Sequence, residues 1–201
     1  METRRLRDTT AVLPGEEPDD LDQVDAPPRP GKAVSDVLVD NDVWTRAELT
    51  KVALSRSWLL NADLSSIRWD GGAIERCVFR GCTLVGANIV GVVLKNVIFE
   101  NCRLDYATLS QLRTVGPVLF IGCSLTETTF QHTNLSAAAF DGCKLAATSF
   151  EECDLRGADL RGNDLTSITG ISSLRGARLS GTQLAGLTEA VVRDLQLDVR
   201  R

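Results

Sequence analysis

The sequence predicts an all-β solenoid, a four-sided coil of about seven turns, on three observations. Large apolar residues recur at every fifth position, small or β-branched residues stand two positions before them, and identical residues recur about 20 positions apart. A period of five fits neither an α-helix, with about 3.6 residues per turn, nor a strand, with a side-chain period of about two. It fits a chain that turns a corner after every fifth residue and stacks its turns at the strand spacing of about 4.8 Å.

The large apolar residues occupy one position of each five-residue unit. The series runs from Leu49 to Leu109, slips by one residue to run from Val115 to Leu165, and slips back to end at Leu174, Leu179 and Leu184. A chain that is 43% hydrophobic would not produce so long a series by chance. We therefore predict an inward ladder that includes Leu64, Phe79, Leu84, Phe99, Leu104, Phe120, Leu125, Phe130, Phe140, Leu145, Phe150 and Leu160.

All six cysteines fall at the small inward position of a unit. They are Cys77, Cys82, Cys102, Cys123, Cys143 and Cys153. Although six cysteines can indicate a zinc site, Cys77 and Cys82 fall on adjacent inward faces and lack the spacing of zinc ligands. We interpret the cysteines as small buried apolar residues, and we predict neither a metal nor a cofactor.

The chain divides into four segments. Residues 1–40 hold ten acidic and five basic residues, and 14–31 hold five of the six prolines. Such a composition buries too little apolar surface to offset its ordering entropy. We predict a disordered acidic tail over 1–36; the alternative is an arm that contacts a partner or folds back on the body. An N-terminal cap is predicted over 37–48, the coil over 49–181 with irregularities at 110–119 and 166–173, and a capping helix with a tail over 182–201.

The predicted C-terminal helix spans 183–196, with Thr182 as its N-cap. Its apolar stripe consists of Leu184, Leu187, Val191 and Leu195. Open ends of a β-solenoid expose unpaired backbone, so the helix is expected to cover the last turn. A second role in forming a homodimer stays open.

No motif for catalysis, such as a P-loop or a nucleophile elbow, is present in the sequence. His132 is expected to point outward without a partner. Asp63, Asp154, Asp159 and Asp164 each precede an inward leucine and are expected to bond the backbone at the corners. We predict that the protein is not an enzyme.

Charge and hydropathy indicate where the protein acts. Residues 41–201 carry equal numbers of acidic and basic residues, which argues against direct binding of nucleic acid. No run approaches the roughly 18 apolar residues that span a bilayer, and residues 1–10 lack the apolar core of a secretion signal. We expect a cytoplasmic protein with no membrane contact, in which the cysteines stay reduced.

Several units, such as Asn61-Ala-Asp-Leu64, Gly86-Ala-Asn-Ile89 and Gly157-Ala-Asp-Leu160, fit the pattern A(D/N)LXX. In this pattern the chain resembles the pentapeptide-repeat family over about 45–185. The resemblance implies a right-handed quadrilateral β-helix. Some members of that family mimic DNA, bind DNA gyrase and topoisomerase IV, and protect against quinolones.

Two functions are considered, the first from the regular coil with mixed surface charge and no catalytic site, the second from the resemblance. The first is a non-catalytic scaffold or protein-interaction module whose partner is another protein. The second is a DNA-mimicking regulator of a type II topoisomerase, with a homodimer through the C-terminal end. The second needs acidic residues gathered on one face, and the sequence offers Asp105, Glu127, Asp141, Glu151, Glu152, Asp154 and Asp159, interrupted by Arg103, Lys144, Arg156 and Arg161. Trp58, at an outward position, either anchors a partner or packs beneath the N-terminal cap.

Overall fold

The computed structural model describes residues 2–15 and 18–200, and most of this chain forms a four-sided β-solenoid of about six turns. Each strand pairs in parallel with the equivalent strand of the preceding turn, as in the register Phe99↔Phe79 and Phe120↔Phe140. The predicted fold class is confirmed. The turn count is lower than predicted because strand ladders end at Glu151, and beyond it residues 152–178 pair only through isolated bridges.

The four faces are numbered in chain order. Face 1 has Phe79, Phe99, Phe120 and Phe140 at its centre, and faces 2, 3 and 4 follow at intervals of five residues. Strands that contribute to face 1 are β5 (Val37–Asp40), β7 (Trp58–Leu60), β8 (Arg68–Arg80), β10 (Val93–Glu100), β13 (Val118–Ile121) and β15 (Ala138–Asp141). Faces 3 and 4 use parts of β8 and β10 together with β4 (Ala33–Ser35), β6 (Glu48–Ser55), β9 (Asn88–Val90), β11 (Thr108–Ser110), β12 (Arg113–Thr114), β14 (Thr129–Gln131) and β16 (Ser149–Glu151). Face 2 is held by isolated bridges.

The coil begins earlier than predicted. Strand β4 pairs with residues 53–55 of β6, and β5 pairs with β7. The segment 37–48, expected to be a separate cap, is therefore part of the first turn. Val39 and Trp44 are buried because they continue the five-residue series backwards from Leu49, whereas Val43 is 69% exposed.

Two slips in the register have a local cause. Leu94 pairs with Thr114 at a spacing of 20, but Val97 pairs with Val118 at 21, so the extra residue lies in 115–117. Val115, predicted to point inward, is 52% exposed and Thr114 is buried in its place. Near the C-terminus the bridge Asp159↔Arg178 has a spacing of 19, which restores the original phase.

The N-terminal segment is ordered, unlike the predicted disordered tail. Strands β1 (Thr3–Leu6) and β2 (Thr9–Val12) form an antiparallel hairpin. A 3-10 helix (Pro18–Asp20) and strand β3 (Asp22–Gln23), which pairs with β5, follow. The hairpin folds back on the body because the outside of face 1 offers it an apolar surface, which the composition of the segment does not reveal. Residues 1, 16 and 17 of the predicted tail lie outside the described residues.

The C-terminal helix, α1, spans Leu184–Asp194 after a 3-10 turn at Gly181–Gln183. The predicted N-cap, Thr182, is wrong: Ser180 caps the 3-10 turn in a capping box with Gln183. Gln183 Nε2 also donates to the carbonyl oxygens of Leu160 and Asn163, both at 2.8 Å, so this side chain closes the end of the coil. Asp194 accepts the Ile171 N–H at 2.9 Å and holds the other end of the helix to the last turn.

Candidate functional site

The inward ladder forms the core of the coil. All twelve predicted ladder residues are buried. On face 1 the rings of Phe79, Phe99, Phe120 and Phe140 stack with centroid distances of 4.8, 5.1 and 4.8 Å. Phe130 of face 3 meets Phe120 edge-on at 6.2 Å, so opposite faces touch across the core. This interior leaves no room for a ligand site of its own.

The cysteines share the interior. Five are buried, Cys153 is half-buried, and all six are free thiols. Their thiols donate to carbonyl oxygens of the preceding turn, such as Cys102 Sγ to Phe79 O at 3.3 Å. Burial raises the pKa of Cys77 to about 12 and that of Cys153 to about 11, which keeps these thiols protonated. Within residues 2–15 and 18–200, no three His, Cys, Asp or Glu side chains are grouped to hold a metal ion.

The outward titratable residues are mostly corner groups. Asp154 accepts the Arg156 N–H at 3.1 Å, and Asp164 accepts the Thr166 N–H at 2.9 Å, as expected for a carboxylate that bonds its own turn. His132 points outward, but it has a partner that the sequence analysis missed: Glu152 Oε2 lies 3.1 Å from its Nδ1. The two residues stand on successive turns, 20 positions apart, and their side chains are 49% and 79% exposed.

The predicted apolar stripe of the C-terminal helix is only partly buried. Leu187 and Val191 are half-buried, whereas Leu184 is 58% and Leu195 57% exposed. Ala190 is the residue that α1 buries fully. The helix thus covers the last turn with one edge and leaves apolar side chains open along the other.

A second apolar surface lies on the outside of face 1. One outward residue of each turn, directly before the inward residue, is apolar, and the spacing is 20, or 21 across the slip. On face 3 the equivalent position holds Arg68, Asn88 and Thr108, so the repeat does not require apolar residues there. We call the apolar outward residues of face 1 the outer stripe; they are Leu38, Trp58, Val78, Ile98, Leu119 and Ala139.

The N-terminal hairpin covers the outer stripe. We call residues 2–15 the strap. Ala11 is fully buried against the stripe, with Leu6 and Leu13 packed around it, and Ile98 and Leu119 are 1% and 0% exposed beneath. The Val12 N–H donates to Asn96 Oδ1 at 3.0 Å. The strap therefore shields the apolar side chains of the outer stripe, which lie on the outside of the coil, from solvent.

Ion pairs fasten the turn of the strap. Arg7, at the hairpin turn, donates to Asp141 Oδ1 at 2.6 Å and to Asp159 Oδ1 at 3.2 Å. Arg161 Nη2 donates in return to Asp8 Oδ2 of the strap at 2.9 Å. Arg4 binds Glu100, whose other oxygen accepts Arg80 Nε at 2.7 Å. Asp159 is only 1% exposed, so the strap meets a carboxylate that has little access to water.

Two of these carboxyl groups are held in the charged form. Burial alone would raise the pKa of Asp159, but hydrogen bonds from the Arg161 side chain and backbone, with the charges of Arg7 and Arg161, bring this pKa below its ordinary value. Burial opposes ionisation of Glu100 as well, yet hydrogen bonds and charge from Arg80 and Arg4 lower its pKa. At the end of the stripe near the hairpin turn, Asp141 and Asp159 accept from Arg7 of the strap, while Arg161 and Arg178 face Asp8.

The outer stripe was visible in the sequence but was not recognised. Of its members the sequence analysis singles out Trp58 alone, as an outward aromatic residue, although Val78, Ile98 and Leu119 stand at equivalent positions. Comparing residues 20 apart at outward positions as well as inward ones would have found the stripe. Trp58 lies beneath the strap, 5% exposed, and the Arg80 guanidinium carbon is 5.4 Å from its ring centroid.

Charge over the remaining surface alternates in sign. Neighbouring turns pair Arg56 with Asp36, Nε to Oδ1 at 2.6 Å, and Lys95 with Glu75, Nζ to Oε1 at 3.0 Å. The acidic residues proposed for a DNA-like face are spread over the coil: Asp105 lies on face 2, Glu127 and Glu151 on face 3, Glu152 and Asp154 on face 4, and Asp141 and Asp159 on face 1.

Among the described residues, no helix is long and apolar enough to cross a membrane.

Two family models match the chain. One describes a pentapeptide repeat region and matches residues 114–188; the other describes pentapeptide repeats and matches residues 75–111. This chain belongs to the pentapeptide-repeat family. The comparison with curated proteins gave no match.

This member of the family is similar to several solved structures. Full-length QnrB1, a plasmid-mediated fluoroquinolone resistance protein, is 15% identical over 79% of this chain and 98% of its own, with a TM-score of 0.40. HetL, involved in heterocyst differentiation regulation in the cyanobacterium Nostoc sp. strain PCC 7120, is 24% identical over 76% of this chain and 84% of its own, with a TM-score of 0.31. Rfr23 from the cyanobacterium Cyanothece 51142 is 18% identical over 62% of this chain and 88% of its own, with a TM-score of 0.39.

Proposed function

We propose that this pentapeptide-repeat protein is a non-catalytic protein-interaction module. The observation that carries the proposal is the outer stripe: six turns of the coil present apolar side chains at outward positions that the repeat does not require. A surface of this kind recognises polypeptide, and here it already holds a hairpin of the same chain. The coil supplies rigidity, and its outward positions supply recognition.

The interior supports the same proposal. Inward positions are used for packing, thiols such as Cys77 and Cys153 are kept protonated, and corner carboxylates such as Asp154 and Asp164 bond their own backbone. The chemistry available to a partner is therefore that of outward side chains. A reducing location such as the cytoplasm would keep all six thiols free, including Cys82 and Cys102, which stand 20 positions apart on successive turns.

Photo-crosslinking from each side of the coil tests the proposal. A photoreactive amino acid is placed in the native cell at one exposed position per face: Arg5 of the strap for face 1, Arg103 for face 2, Asp70 for face 3 and Lys51 for face 4. We expect one discrete protein adduct that forms from one or two neighbouring faces. Adducts of equal intensity from all four positions, or none from any, would contradict a specific interaction module.

The second function considered, regulation of a type II topoisomerase by DNA mimicry, needs a continuous acidic face. The acidic residues of the coil are spread over four faces, and several are paired with arginine or lysine. We expect purified DNA gyrase to retain full supercoiling activity at micromolar concentrations of this protein. Inhibition at those concentrations would support regulation of gyrase in place of the general interaction module as the function of this protein.

A further inference from the structure

We propose that the outer stripe is the docking site of a partner protein, that the partner inserts a β-hairpin with an arginine at its turn, and that the strap occupies this site until the partner displaces it. This inference rests on the proposed function and adds to it the site and the chemistry of the partner. Three features of the strap support it.

First, the strap is a separate unit. Within the described residues, β1 and β2 pair with each other and not with the sheet of the coil. A two-stranded hairpin is marginally stable by itself in water, so the order of the strap depends on the stripe beneath it. Residues 18–20 form a 3-10 turn after the strap, and β3, which follows, pairs with β5 and fixes the chain to the coil. The strap can therefore leave as a unit while the coil stays folded.

Second, the charges at the site fit a basic hairpin turn. When the strap lifts, Asp159 keeps Arg161 and Glu100 keeps Arg80. Asp141 loses Arg7, and Arg161 and Arg178 lose Asp8. A docked turn therefore has to offer a cation to Asp141 and Asp159, and Asp159 is 1% exposed while Arg7 is in place. A guanidinium fits this site because it bonds two carboxylates at once, as Arg7 does.

Third, the site restricts the strand that faces it. Ala11 is fully buried against Ile98 and Leu119, so the backbone of the docked strand lies close to the stripe. Asn96 Oδ1 accepts a backbone N–H from that strand. The partner segment therefore carries a small residue at the point of closest approach and apolar residues on either side, as Leu6 and Leu13 do in the strap.

A labelled peptide in trans tests whether the site accepts an external hairpin. The probe is a fluorescein-labelled peptide with the sequence of residues 2–15, and its binding to the full-length protein is followed by anisotropy. In the variant Arg7→Glu the strap is weakened, because the new carboxylate faces Asp141 and Asp159, while the stripe is unchanged. Arg5→Glu is the matched control, with the same charge change at an exposed strap position.

We expect the peptide to bind Arg7→Glu at least about tenfold more tightly than it binds the native protein or Arg5→Glu, because the tethered strap competes at an effective concentration in the millimolar range. A peptide carrying Arg7→Glu should lose this binding. Equal affinity of the native peptide for all three proteins would overturn the proposal. The proposal would also be overturned if light scattering showed that the native protein dimerises as its concentration rises and that the Arg7→Glu variant stays monomeric. In that case the strap of a second copy would be the occupant.

Crosslinking in cells separates this inference from the proposed function. A photoreactive residue at Arg80, which is exposed beside the stripe, should give an adduct with the partner that increases several-fold in the Arg7→Glu protein and not in Arg5→Glu. Adducts at Lys51, Asp70 or Arg103 with none at Arg80 would overturn the docking site and leave the interaction module standing. Absence of adducts at all four positions would overturn both.

Discussion

The protein has two apolar clusters, one inside the coil and one between the coil and the strap. The inner cluster extends through the whole length of the coil, and its members contact residues one turn away, as Phe99 contacts Phe79 and Phe120. The outer cluster joins the stripe to a segment far away in sequence, since Arg7 and Asp159 are 152 residues apart. The inner cluster determines whether the coil folds, and the outer cluster determines whether the strap docks on the outside of face 1. We therefore expect substitutions in the two clusters to have different effects.

The largest effect is expected from a charge in the inner cluster. Phe99→Asp removes a ring that is stacked on both sides and buries a carboxylate, with an expected loss of about 4 kcal/mol or more in the free energy of unfolding. Since domains are stable by about 5–15 kcal/mol, much of the coil should unfold. Urea unfolding followed by circular dichroism measures the loss. Arg103→Ala, on the outside of face 2, should change stability by less than about 0.5 kcal/mol, and comparable losses would contradict the inward and outward assignment.

A charge in the outer cluster should release the strap and leave the coil folded. In Ile98→Asp the carboxylate regains water once the strap lifts, so the cost is limited to the docking free energy of the strap, about 2–3 kcal/mol. Hydrogen exchange should become fast in residues 3–12 and stay slow in β8 and β10. Thr108→Asp, at the equivalent outward position on face 3, is the control and should leave exchange in the strap unchanged. Loss of protection throughout the coil would mean that the two clusters unfold together.

Acid should loosen the strap before the coil. Because the folded-state pKa values of Asp159 and Glu100 lie below their ordinary values, their contribution to stability is present above about pH 4 and is lost as the pH falls through the folded-state values. The exchange rate of the Val12 amide, measured between pH 6 and pH 3 and corrected for intrinsic rates, should show the opening. Asp159→Asn should reduce this dependence on pH. A strap whose protection is independent of pH would show that the apolar contacts alone hold it.

The smallest effect on stability is expected at the C-terminal end. Leu184 and Leu195 are more than half exposed, so Leu184→Glu should change the free energy of unfolding by less than about 0.5 kcal/mol. A homodimer through this end, a role that the sequence left open, would nevertheless be lost, because a carboxylate would enter its apolar contact. Light scattering over a range of concentrations should show a dimer for the native protein and a monomer for the variant. Equal masses for the two proteins would leave α1 as a cap alone.

The five-residue period was enough to predict the fold class, the inward ladder and the location of the slip, because each of these depends on side chains within one or two turns. Val115 was misplaced because the pattern locates an inserted residue only within a unit; pairing of Leu94 with Thr114 was needed to show that the insertion follows Thr114. Thr182 was chosen as the cap from its position, whereas the turn begins at Ser180.

The strap could not be predicted from the composition of residues 1–36. That segment has too little apolar surface to order itself, and the surface that orders it is distributed over residues 38–139 at intervals of 20 or 21. Its fastening points, Asp141 and Asp159, look in the sequence like other repeat positions. The prediction of disorder considered residues 1–36 alone, whereas the order of this segment depends on the outer stripe.

The distance in sequence between Arg7 and Asp159 has a consequence during synthesis. The strap leaves the ribosome first, but the carboxylate that fastens its turn is made 152 residues later, which takes roughly 8–30 s at about 5–20 residues per second. The coil grows turn by turn in the meantime, and the contacts of the strap with Asn96 and Glu100 become available before those at its turn. The ion pair between Arg7 and Asp159 can therefore form only after most of the coil has been made.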